Sequence, residues 1–92
     1  MAVYLVSYDL KKPGQNYFPL YEVLKSGASW WHYLDSTWMI DSHESIEVWE
    51  QRIKSQLDQN DSFLIVKLLA GQSYVGWLPR EAWEWVKQRL GA

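Results

Sequence analysis

Ala2-Val3-Tyr4-Leu5-Val6-Ser7-Tyr8-Asp9-Leu10 is the stretch whose reading decides the fold. Side chains alternate across a strand, so Tyr4, Val6 and Tyr8 share one face while Val3, Leu5, Ser7 and Asp9 share the other. Both faces are mainly apolar, which predicts a strand in the middle of a sheet, covered above and below. Asp9 then stands where the strand ends. Such an acid either closes the strand, bonded to the backbone of the following turn, or serves as a placed ligand.

Working outward, Lys11-Lys12-Pro13-Gly14-Gln15 reads as a polar turn with two breakers. Asn16 is a helix cap, followed by Tyr17, Leu20, Tyr21 and Leu24 at helical spacing, with Pro19 in the first turn and Gly27 as the stop. Ser29-Trp30-Trp31-His32-Tyr33-Leu34 and Thr37-Trp38-Met39-Ile40-Asp41 read as two strands of a hairpin joined at Asp35-Ser36. Ser42 is a candidate cap for a second helix, whose stripe is Ile46, Trp49, Ile53 and Leu57. Ser62 to Leu69 is a fourth strand, again apolar on both faces. The order strand, helix, strand, strand, helix, strand predicts an α+β domain of the ferredoxin-like βαββαβ type. In it an antiparallel sheet carries two helices on one face, and the first and third strands are central. Residues 1–70 form that core, and 71–92 form a C-terminal extension. In the extension, Ala70 to Gly76 is a connector with room for a short strand. A helix from Pro79 to Leu90 follows, with Ala82, Trp83, Val86 and Leu90 on one side, Trp85 off that stripe, and Gly91 as the stop.

The two helices of the core cover one sheet face only. The other face carries apolar side chains too, so either the C-terminal helix folds over it or a second copy does, and a two-fold homodimer is the expected solution. Size points the same way, because 92 residues bury only a marginal core. Seven tryptophans and six tyrosines exceed what that core needs, and large aromatics left at a surface favour interfaces.

Nine basic and eleven acidic residues give a net charge of −2, which is not the surface of a protein held on nucleic acid by charge alone. The absence of cysteine excludes disulfides, thiolate catalysis and Cys-based zinc sites. The sequence shows no signal peptide and no apolar run of membrane-spanning length, and a cytoplasmic location is expected. It has no Gly-rich phosphate loop, nucleophile elbow or zinc spacing, and no small-molecule cofactor is expected.

Three stretches, Leu5–Leu10 (LVSYDL), Leu34–Ile40 (LDSTWMI) and Asp61–Leu69 (DSFLIVKLL), resemble the CRISPR-associated small endonuclease family. The likeness extends to its ferredoxin-like relatives, among them the virulence-associated protein D ribonucleases. It covers residues 2–70, and its best part is the Tyr8-Asp9 pair closing the first strand. Short proteins of this kind are also called SinR-family proteins, although nothing in this chain reads as helix-turn-helix. The resemblance implies a homodimer with facing sheets and an Asp9 from each copy near the two-fold axis. In active members that pair binds a divalent metal and cleaves phosphodiesters. Carried over, Asp9 is the metal-binding and catalytic residue and Mg²⁺ the metal. Ser36 matches the small hydroxyl residue of the hairpin motif, and Trp38 stands where a smaller aromatic is usual. The tail from Tyr74, with Trp77-Leu78-Pro79 and Trp83-Glu84-Trp85, has no counterpart in the CRISPR-associated members.

Read for chemistry, two symmetry-related Asp9 carboxylates would give Mg²⁺ hard oxygen ligands, with water and phosphate completing its shell. Lys11 and Lys12 are the one local basic pair and can touch a phosphate backbone, or simply be solvated. His32 reads as a packed hairpin residue and His43 as exposed. Asp41, Glu44, Glu47 and Glu50 form an acidic run that fits a solvated helix face. Trp30, Trp31 and Tyr33 can stack on unpaired bases, or belong to core and dimer interface. Two functions are therefore in play: a metal-dependent nuclease acting on RNA or DNA, or a dimeric scaffold of the same fold that binds nucleic acid or protein without cleaving it.

Overall fold

A computed structural model describes residues 1–12, 14 and 16–91. The chain runs β1 (Ala2–Asp9), α1 (Phe18–Leu24), β2 (Ser29–Leu34), β3 (Thr37–Ser42), α2 (Ile46–Lys54), β4 (Ser62–Leu68) and α3 (Arg80–Leu90). The fold is α+β, with one four-stranded antiparallel sheet and three helices among the described residues, an arrangement compatible with the ferredoxin-like type. The strand order is β2-β3-β1-β4, which places β1 and β3 inside the sheet. β1 pairs with β3 from Ala2 to Ser7 and with β4 from Val3 to Asp9.

The double apolar character of β1 is explained by what lies on either side. Tyr4, Val6 and Tyr8 pack with Trp38 and Ile40 of β3 under Leu20 and Leu24 of α1 and Trp49 and Ile53 of α2. On the opposite face Val3 and Trp31 pack under Ala82, Val86 and Leu90 of α3. Each helix thus buries a stripe at helical spacing. The C-terminal helix does fold over the second face, but only over part of it. The register sets Leu34, Leu64 and Val66 on the same side as Leu5 and Ser7, and all three are exposed.

Several local expectations change for stated reasons. Tyr17, not Asn16, occupies the N-cap of α1 and makes no side-chain cap; Asn16, one residue before it, accepts from the Phe18 amide through Oδ1 at 3.0 Å. Gly27 does not stop that helix, which ends at Leu24. It allows a close approach instead: a Cβ there would collide with the Ile40 side chain and lie 2.7 Å from the Asp41 carbonyl oxygen. Ser45, not Ser42, caps α2, its Oγ accepting from the Val48 amide at 3.3 Å. Ser42 belongs to β3 and accepts from the Glu44 amide at 2.9 Å. The connector after β4 forms no strand among its described residues.

In α3 both tryptophans are half-buried, and Trp85, expected off the apolar stripe, joins it. Trp85 packs against the buried cluster and donates its indole N–H to Ser29 Oγ at 2.9 Å. Trp83, also half-buried, stacks on Tyr74 of the connector, with ring centroids 6.0 Å apart, and borders the same space as Trp31 and Val86. The residues that meet the sheet are Ala82, Val86 and Leu90, with Trp85 and Arg89 on one flank and Trp83 on the other. Gly91 ends the helix with a positive φ of 89°, where glycine carries no steric penalty. No helix among the described residues is long and apolar enough to cross a membrane.

Candidate functional site

Asp9 ends β1 on the face that α3 leaves partly open, with Ser62 of β4 as its cross-strand partner. Its carboxylate is exposed and meets Lys11 Nζ at 3.0 Å. An ion pair this exposed contributes at most about 1 kcal/mol, so a competing charge can displace it easily. Ser7, Ser62 and Leu64 line the same shallow depression. Ser7 Oγ lies 3.4 Å from Thr37 Oγ1 across β3. The β2–β3 turn comes to this end of the sheet as well, because the Tyr8 amide donates to the Ser36 carbonyl at 3.0 Å. The structure thus brings Asp9, Lys11 and Ser36 to one end of the sheet. Lys12 turns elsewhere, its Nζ 3.4 Å from Asp58 Oδ1.

Behind Lys11 and Lys12 sits an anchor that the sequence reading passed over. Asp61, immediately before β4, accepts from the Lys11 amide at 2.7 Å, from the Asp58 amide at 2.8 Å and from the Tyr17 hydroxyl at 2.9 Å. It staples the chain leaving β1 to the turn entering β4. Pro13 and Gln15 of the expected turn lie outside the described residues. Partial burial works against the Asp61 charge, but the amides of Lys11 and Asp58, the Tyr17 hydroxyl and the Lys12 charge outweigh it and hold the carboxyl below its ordinary 3.8. A depressed carboxyl contributes stability that is present above the unfolded value and is lost as pH falls through the folded one. Asp61→Asn replaces one acceptor oxygen by an NH₂, leaving an amide without its partner. The variant is expected to be less stable than wild type near neutrality. Thermal melts from about pH 7 to about pH 2 should show that gap closing on acidification; a gap independent of pH would mean the charge is not what matters.

Other candidates separate. His32 is packed in the hairpin, its ring stacked 3.9 Å from that of Trp38 and its Nε2 3.1 Å from the Asp35 carbonyl oxygen. His43 is exposed. Asp41 does not belong to a solvated helix face: it is buried in β3 and paired with Arg89 of α3. Trp30, Trp31 and Tyr33 do not make one stacking platform. Strand alternation puts Trp31 beneath α3, fully buried, while Trp30 lies on the other face against Trp38.

A Mg²⁺ ion takes oxygen ligands, commonly one or two carboxylates with several waters. One copy of the chain supplies one carboxylate here, Asp9, with the Ser7 and Ser62 hydroxyls beside it. Among the described residues no three His, Asp or Glu side chains gather as a metal-binding group. The donors fit such an ion only if a second Asp9 joins the first. Compared with models of known protein families, with curated proteins and with solved structures, the chain matches none.

Proposed function

We propose that this chain is a ferredoxin-like module that works in the cytoplasm as a homodimeric scaffold, with a second copy seated on the sheet face that α3 leaves open. The observation that carries this reading is the bare half of that face, where Leu64 is 61% and Val66 41% exposed beside the half-buried Leu5. An apolar strip of this kind in contact with water disfavours the lone monomer.

A second reading adds an activity to the same dimer, and the position of Asp9 supports it. A two-fold axis on this face brings in a second Asp9, giving two carboxylates to hold Mg²⁺. When bound, such an ion activates water and stabilises charge on a phosphate. Lys11, released from Asp9, and Ser36 at the neighbouring turn would then contact the phosphodiester backbone of RNA or DNA. Lys12 would have to leave Asp58 to join them.

Sedimentation at micromolar concentration tests the scaffold, and a dimer is expected. Incubation of labelled RNA and duplex DNA with Mg²⁺, for wild type beside Asp9→Ala, tests the activity. The nuclease reading expects cleavage that drops to background in the variant. Cleavage that survives Asp9→Ala sinks the site, and a dimer that cleaves neither substrate leaves the scaffold.

A further inference from the structure

The connector between β4 and α3 ends in a feature that the fold of a single copy does not use. Val75 is 98% and Trp77 99% exposed, while Tyr74 and Leu78 beside them pack inward. An indole wholly in water forgoes one of the largest apolar burials a side chain can make. Trp77 stands at the rim of a cavity of about 350 Å³ between connector, α3 and sheet, whose walls include Leu5, Trp31, Leu34, Met39 and Val86. This volume is at the lower end of the roughly 300–1,000 Å³ of pockets that bury a drug-sized group, ample for an indole. No charged residue lines it.

We infer that Trp77 of one copy seats in this cavity of a second copy, and the second copy's Trp77 in the first, an inference that rests on the homodimer proposed above. Knob and hollow lie side by side on one face, so a single two-fold operation satisfies both at once, as an isologous interface requires. The hollow is uncharged and accepts an indole without burying an ion. The area also agrees. Two tryptophans at about 150–250 Å² each supply about a quarter of the roughly 1,200–2,000 Å² that a specific interface buries. Leu34, Leu64 and Val66 supply apolar surface for the remainder.

Because the chain has no cysteine, single introduced thiols report contacts cleanly. Val75→Cys protein mixed with Leu34→Cys protein, under mild oxidation, is expected to give a crosslinked heterodimer in greater yield than either variant alone. Trp77→Ala is expected to weaken the dimer about 30-fold or more by sedimentation, as for a central tryptophan anchor. Its monomer should melt close to the wild-type temperature, since Trp77 is almost wholly exposed in its own fold. If wild type is dimeric and Trp77→Ala leaves the constant unchanged, the reciprocal seat is wrong and the dimer stands. If wild type is monomeric, both fall. A monomer that instead binds an uncharged naphthalene probe, with binding lost in Trp31→Ala but retained in a surface control such as Gln59→Ala, assigns the hollow to a small apolar ligand and overturns the seat.

Discussion

Asp41→Ala is expected to destabilise the protein by about 3 kcal/mol, because it leaves the Arg89 guanidinium at a mostly buried position without its counter-charge. Arg89 is held from several sides: Nε donates to Asp41, Nη1 to the Trp85 carbonyl at 3.0 Å and Nη2 to Ser29 Oγ at 3.2 Å. Its guanidinium also lies 3.8 Å from the Trp85 ring centroid. Those remaining contacts keep the loss at the lower end of the range for a broken buried pair. The effect should be local first. α3 is docked through this cluster and through the Trp31 indole on the Ala82 carbonyl, so limited proteolysis after β4 should speed up before the sheet unfolds. In a double-mutant cycle, Asp41→Ala with Arg89→Ala should cost less than the two single losses added together, by about 0.5–3 kcal/mol. Simple additivity would show that the pair does not act as a unit. A buried pair is not by itself the most stable solution, and apolar residues of similar volume often match it. What Asp41 and Arg89 specify is where α3 lands on the sheet.

That landing is the part of the fold least legible in the sequence. The sheet and its two core helices are written in periodicity: the doubly apolar Val3–Tyr8 and Ser62–Leu68 segments and the i, i+3, i+4, i+7 stripe of α1 need no partner to be recognised. The α3 stripe was harder to assign, because Trp83 and Trp85 are equally apolar and the hydrophobic count favours neither. The choice falls to hydrogen bonding. Ser29 offers an acceptor to the Trp85 indole and Asp41 one to Arg89, and both partners come from strands more than forty residues away. No local pattern records such long-range pairing. Asp41 escapes a local reading for the same reason, since next to Glu44 and Glu47 it looks like another exposed acid.

The candidate site divides along similar lines. The position of Asp9 follows from strand alternation and was readable directly, as was its placement at the end of a central strand. Its pairing with Lys11 is local. The Asp61 anchor was not readable, because it joins two loops fifty residues apart through backbone amides, and an amide leaves no trace in residue identity. Gly27 shows the opposite error. A glycine after a helix suggests a stop, whereas here the lack of a Cβ lets the chain pass against Ile40 and Asp41.

Trp38→Ala carries the largest expected loss, about 3–5 kcal/mol, out of a total that for a small domain is about 5–15 kcal/mol. Trp38 is fully buried at the edge where α1, β2 and β1 meet. His32 stacks on its ring at 3.9 Å, and the rings of Trp30 and Tyr21 flank it at 5.4 and 6.2 Å. Truncation removes an aromatic from the centre of three others, and the neighbours cannot close the gap because β2 and β3 are fixed by their ladder. The loss should also reach the candidate site. The Trp38 indole donates to the Tyr8 hydroxyl at 3.0 Å, and that hydroxyl donates to the Asp35 carbonyl at 3.4 Å, tying the end of β1 to the hairpin turn that carries Ser36. Trp38→Phe separates the two effects. It keeps most of the ring packing but loses the indole N–H, so its thermodynamic cost should be much smaller than that of alanine. Hydrogen exchange at the Tyr8 amide, which bonds the Ser36 carbonyl, should accelerate in both variants. Protection at Tyr8 unchanged in Trp38→Phe would mean that packing alone, without this chain of hydrogen bonds, holds the turn beside Asp9.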